Sequence, residues 1–297
     1  MNFVLIPFFL AANVTVNDMS EWVYGPEFVY HVNQTFVITK DLSTKPLSLV
    51  RMTTDLTCRP HSQDTLSCGF GTFEMNATDE KSVKVEIEQP FLVKFNRRGV
   101  QSLHFTEVLE SGKLLTIRDI VKELSIGADL VQNANAFPAF MAMENYVLGE
   151  CATLFTVLEY DRDERSSTPD PETERNYELN VLSMPNMDQD ATVVVNKRTE
   201  HRRCVSYEDT LLARHDVDTR HRRSVSKMTI KADAFRSYTQ MNIKIKNIGT
   251  QEGIAVLDTT SVELVAIKPA KEELPCLTYD VDATLSFGED MHHNFLM

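Results

Sequence analysis

The stretch LLTIRDIVKELS, residues 114–125, decides the fold class. Leu114, Ile117, Ile120, Val121 and Leu124 recur at helical spacing while Arg118, Asp119, Lys122 and Glu123 fall on the opposite side, which predicts one amphipathic helix. Everything around it reads as strand. Upstream, Lys81–Glu88 alternates polar and apolar residues, as a half-buried strand must. Phe91–Phe95 and Val100–Phe105 flank an Asn96-Arg97-Arg98-Gly99 turn, the pattern of a hairpin. Further strands are predicted at 28–32, 34–39, 191–195, 227–230, 241–246 and 261–267. Their alternation fits an antiparallel sheet with one wet face, and a lone helix among so many strands must bury its stripe on that sheet.

The chain has 297 residues, 42% of them apolar and 25% charged, which excludes a disulfide-stapled miniprotein, wholesale disorder and a many-spanning membrane protein. Its net charge of −13 argues against general affinity for nucleic acid, but the charge is segregated. Residues 159–190 hold ten acids against three arginines, and residues 197–236 hold eleven Lys/Arg against six acids. An acidic segment followed by a basic one suggests a binding surface. Within the acidic part, DRDERSSTPDPETER at 161–175 lacks large apolar groups and is expected to be a mobile loop.

Residues 3–12, FVLIPFFLAA, match the hydrophobic core of a signal peptide in length, with cleavage expected between Ala12 and Val16. The sequons at Asn33 and Asn76 are glycan acceptors in a secreted chain, while that at Asn13 lies too near the cleavage point. Five cysteines in an oxidising compartment allow two bridges, chosen in fifteen ways. Cys58 and Cys68 flank a turn and could staple a hairpin, Cys151 and Cys204 are the other plausible pair, and Cys276 is left over.

No hydrolase elbow, zinc-protease helix, P-loop or dinucleotide glycine pattern occurs, and no nucleophile, base and metal constellation is visible, so the expectation is a protein that is not an enzyme and needs no cofactor. Asp161, Asp163 and Glu172 have the spacing of a calcium loop, but Arg165 and Ser166 stand where a ligand and a glycine belong. His292-His293 reads as a surface pair near a frayed end. The basic segment concentrates Lys197, Arg198, His201, Arg202 and Arg203 and then Arg220, His221, Arg222 and Arg223. It reads as an electropositive patch for an acidic receptor module or an anionic polymer, weighed against solvated loops between strands. Arg220, Arg222 and Arg223 before Ser224 also fit the dibasic pattern of secretory convertases.

Four islands in order resemble one family. Trp22-x-x-Gly25-x-Glu27-Phe28-x-Tyr30 resembles the opening of the vitellogenin amino-terminal domain, the lipid-transport module shared with apolipoprotein B and the microsomal transfer protein. Pro90-Phe91 with Lys94–Leu103 is similar to a run of insect vitellogenins. Phe140-x-x-Met143-Glu144-x-x-Val147-x-Gly149-x-Cys151 and Arg223-Ser224-Val225-Ser226-Lys227-Met228-x-Ile230 complete the series.

The resemblance implies an antiparallel β-barrel around one central helix and a Cys151–Cys204 disulfide. It also implies a docking strand for a low-density-lipoprotein-type yolk receptor, aligned with Asn196–His201, where Lys197 and Arg198 stand in place of a K-x-K spacing. The expected organisation is a signal peptide over 1–16, a barrel domain over 17–290 and a tail over 291–297. The expected function is a secreted, yolk-precursor-type protein of the lipid-transport family with lipid as its one implied ligand. A recognition or defence protein that binds anionic surfaces without carrying lipid is the alternative. Full vitellogenins are several times longer, and a filled barrel leaves little cavity for bulk lipid.

Overall fold

Six strands run to between 14 and 17 residues, longer than the pieces marked by the alternation. The computed structural model describes residues 3–40, 45–78, 82–87, 89–133, 138–146, 149–160, 175–182, 191–206, 217–247, 253–276 and 285–286. The amino-terminal half comprises β1 (Phe3–Leu5), β2 (Leu10–Val14), β3 (Pro26–Lys40), β4 (Pro46–Ser62), β5 (Thr65–Phe70), β6 (Phe73–Ala77), β7 (Val83–Val85), β8 (Phe91–Asn96) and β9 (Gly99–Phe105). Helices α1 (Ser111–Val121) and α2 (Leu130–Asn133) follow. The second half comprises β10 (Ala139–Tyr146), β11 (Gly149–Tyr160), β12 (Tyr177–Val181), β13 (Thr192–Ser206), β14 (Val217–Lys231), β15 (Ala234–Asn247), β16 (Gly253–Pro269) and β17 (Leu285–Ser286).

All the strand pairs are antiparallel, and the main sheet runs β10-β11-β13-β14-β15-β16-β3-β4-β5-β8-β9-β17, with β6 and β7 branching from β4. The expected β-barrel is corrected here: among the described residues no ladder joins β10 at one edge to β9 and β17 at the other, so the sheet wraps without closing. Closure needs a continuous ladder of matched strands, whereas the sheet tapers at this edge, where β5, β8 and β9 have only 6, 6 and 7 residues and β17 has 2. Side chains and a loop span the seam instead. The guanidinium of Arg98, in the β8–β9 turn, donates to the carbonyl of Met143 on β10 and lies 3.7 Å from Glu150 on β11, while Gly127 N–H donates to the Arg98 carbonyl at 2.7 Å.

The helix sits inside the wrap. Ile117, Ile120, Val121 and Leu124 are fully buried, packing with Phe28, Phe91, Phe105, Phe155 and Phe235 in one core. At roughly 1.5–3 kcal/mol for each large side chain, this stripe is what holds the helix, since an 11-residue helix is marginal alone. A turn of 3₁₀ helix, Lys122–Leu124, ends it. Glu123, placed by periodicity on the wet side, is only 2% exposed, because the wrapped sheet covers more than one side of the helix.

One other local expectation changes. The half-buried strand read at 81–88 reduces to the edge strand β7, whose Val83 is exposed. The apolar run at 3–12 has a place in the fold: β1, β2 and β12 form a small sheet, with Ile6, Phe9 and Leu10 buried and Phe9 against Phe235. Of the acidic loop 161–175 only Arg175 is described, and the candidate calcium ligands, His292, His293 and the tail 291–297 lie outside the described residues.

Candidate docking surface

Alternate residues of a strand face opposite sides of the sheet, so the adjacent pair Lys197-Arg198 cannot act together. Arg198 is exposed on the outer face, aligned with Val225 on β14 and Leu154 on β11. Lys197 points inward. Its Nζ lies 2.6 Å from Glu144 Oε1 and 3.1 Å from the Ser125 carbonyl, and both charged side chains are about nine-tenths buried. Lys197 thus joins β13 to β10 and to the segment that follows the helix, and it is unavailable to a partner.

Register extends the outer face across neighbouring strands. Arg223 lies beside Asn242, Lys227 beside Tyr238, and Arg236 and Lys244 follow the same parity on β15. Arg198, Arg223, Lys227, Arg236 and Lys244 are all exposed, and Val225 and Tyr238 among them are each 37% exposed. With strands about 4.8 Å apart, the three strands carry five cations on one side. Arg236 and Lys244 received no role from the linear reading. The signal that finds Lys244 is strand parity: in MNIKIKN, residues 241–247, the lysines share one face and the isoleucines the other.

His201, Arg202 and Arg203 lie within β13, and Arg220 and Arg222 within β14, but their side chains are outside the described residues. The dibasic run Arg220–Arg223 is part of a ladder: His221, Arg222 and Arg223 pair with Lys244, Ile243 and Asn242. Asn33 is half-buried in the middle of β3, whereas Asn76 is exposed on β6. Both disulfides, Cys58–Cys68 and Cys151–Cys204, are formed between residues directly opposite on neighbouring strands. Cys276 is an exposed free thiol.

A polar cluster missed in the sequence lies under the helix. Ser237 Oγ donates to Glu123 Oε2 at 2.6 Å, Lys122 Nζ lies 3.3 Å from Asp119 Oδ1, and Asp258 and Gln34 are buried nearby. Burial, together with the neighbouring Asp119, pushes the Asp258 carboxyl up to about 7, and burial raises Glu123 as well. Among the described residues no group of three or more His, Cys, Asp or Glu could hold a metal ion, and no helix is long and apolar enough to cross a membrane.

No protein-family model and no curated protein matches the sequence. The fold is similar to a solved structure of lipovitellin described for its lipid–protein interactions, with a TM-score of 0.58 and 9% sequence identity over 86% of this chain. The matched part spans 27% of the lipovitellin chain, so the likeness is one of fold over about a quarter of that chain.

Proposed function

We propose that this chain is a secreted, vitellogenin-type member of the lipid-transport proteins, a yolk-precursor-type molecule that docks on an acidic low-density-lipoprotein-type receptor module. The observation that carries the docking is the outer face of β13–β15, where Arg198, Arg223, Lys227, Arg236 and Lys244 are exposed together beside Tyr238. Such a face steers an acidic partner and loses its effect as salt rises. Two cross-strand disulfides support an oxidising compartment. The lipovitellin-like fold supports the lipid-transport family.

Binding to an isolated acidic receptor module in about 0.15 M salt tests the reading. Changing Arg223, Lys227 and Arg236 together to Ala slows association roughly tenfold or more, whereas Arg97→Ala, away from this face, does not. Unchanged binding by the triple variant overturns the proposed face. Equal binding to simple polyanions, with a steep salt dependence, replaces the receptor by anionic surfaces in general, the recognition or defence role.

A further inference from the structure

The sequon Asn33-Gln34-Thr35 lies within β3, and register places it against the cationic face. Residues directly opposite one another in an antiparallel ladder point to the same side of the sheet. Asn33 stands opposite Ser261 on β16, Ser261 opposite Tyr238 on β15, and Tyr238 opposite Lys227 on β14. In the neighbouring row His31 stands opposite Glu263, and Glu263 opposite Arg236. Asn33 therefore shares the outer face with Tyr238, Lys227 and Arg236. At about 4.8 Å between strands and 3.4 Å per residue, Tyr238 lies about 10 Å from Asn33, Arg236 about 12 Å and Lys227 about 14 Å.

The surroundings of Asn33 leave room for a sugar. Its partners across the two ladders are small, Ser261 on β16 and Thr53 on β4. Ser261 Oγ donates to the Asn33 carbonyl and Thr259 Oγ1 to the Thr35 carbonyl, each at 3.4 Å, so these hydroxyls serve the backbone and not the carboxamide. Among the described residues the Asn33 carboxamide makes no hydrogen bond, and linking a sugar to its nitrogen breaks none. Gln34 points the other way, into the core, and is only 1% exposed, so Asn33 and Thr35 are the outward members of the sequon. Asn76 is placed differently. It stands opposite Arg51, on β6 beyond β4, four strands and about 19 Å from β15.

We propose that Asn33 carries an N-linked glycan that covers the Tyr238, Arg236 and Lys227 end of the cationic face and thereby sets how tightly that face docks. The inference rests on the docking reading given above. An N-linked glycan is bulky and hydrated. Rooted two strands from Tyr238, it stands between an approaching acidic module and the nearest cations, while the exposed Tyr238 ring offers a flat partner to the apolar side of a sugar. The glycan hides these cations without neutralising them, so attraction at long range survives and close contact is lost. Occupancy of one asparagine thus divides the secreted protein into weakly and strongly docking forms.

The test uses the full chain as secreted from cultured animal cells, with glycopeptide mass mapping to read occupancy and an isolated acidic receptor module as the probe. Asn33 is found occupied. Removing the sequon by Asn33→Gln, or by Thr35→Ala with the asparagine kept, raises affinity for the module at least about tenfold. Trimming the folded parent to a single N-acetylglucosamine with an endoglycosidase gives the same gain with no change of sequence. Asn76→Gln leaves affinity where it was. An unoccupied Asn33, or variants and trimmed protein that bind no better than the glycosylated parent, overturns the proposal. Absence of binding by every form, with Asn33 occupied, overturns the docking reading itself and the masking with it.

Discussion

Lys197 and Glu144 form a buried ion pair at 2.6 Å that ties two non-adjacent strands of an open sheet, β13 and β10, and the second bond of Lys197, to Ser125, brings in the helix exit. Arg98 spans the open seam itself, donating to the Met143 carbonyl on β10, and Gly127 N–H donates to the Arg98 carbonyl. The edges that fail to pair as strands are thus linked by charged side chains.

Replacing Lys197 by Met leaves the Glu144 carboxylate buried without its cation. Breaking a buried pair from one side costs about 3–5 kcal/mol, whereas replacing both partners costs far less. Lys197→Met is therefore expected to destabilise strongly in urea, and the Lys197→Met, Glu144→Gln double variant to recover part of the loss. A single-variant cost below about 1 kcal/mol excludes a structural role for the pair.

Asp258 makes stability depend on pH. Its carboxyl is raised from 3.8 to about 7 in the folded chain, so the folded state holds a proton that the unfolded chain releases. Stability from this group is complete below pH 4 and is lost as pH rises toward 7, by as much as about 4 kcal/mol at 1.4 kcal/mol per pH unit. Glu123 acts in the same direction. Asp258→Asn is expected to be more stable than the parent at pH 8, with an advantage that shrinks toward pH 4. Parallel curves for the two proteins across that range refute the assignment.

The two disulfides close loops of different length, with sequence separations of 53 for Cys151–Cys204 and 10 for Cys58–Cys68. Loop entropy gives about 4 kcal/mol for the longer and about 3 kcal/mol for the shorter. Paired Cys→Ala variants should rank in that order in denaturant midpoint. The reverse order means that the unfolded chain already restrains the longer loop.

Legibility in the sequence followed from periodicity. Ile117, Ile120, Val121 and Leu124 declare a buried helical stripe at a spacing of 3.6, and all four are fully buried. Glu123 misled because periodicity distinguishes two sides of a helix, whereas a wrapped sheet covers more than two. Lys197 and Arg198 form one patch only if proximity in sequence means proximity on a surface; on a strand, parity separates them. The run at 3–12 is ambiguous at its root, since a signal core and a buried strand pair draw on the same apolar residues. Open and closed sheets are likewise indistinguishable along the chain, because seam contacts such as Arg98 to Met143 have no local pattern.

Gly127 isolates the steric part of the seam. It has φ +90°, where a side chain is strained, and an added Cβ would run into the Glu144 carboxylate, which Lys197 holds in place. Gly25, at φ +81°, has open space around the same position. Gly25→Ala should therefore cost only the left-handed backbone penalty, roughly 1–2 kcal/mol, and Gly127→Ala that amount plus the displacement of a buried ion pair. The excess should disappear in a Glu144→Ala background, where nothing remains for the new methyl to strike. Denaturation of the four variants, with the cycle closed by Glu144→Ala alone, measures it. Equal costs at the two glycines would show that Glu144 yields freely and that the pair does not fix the seam.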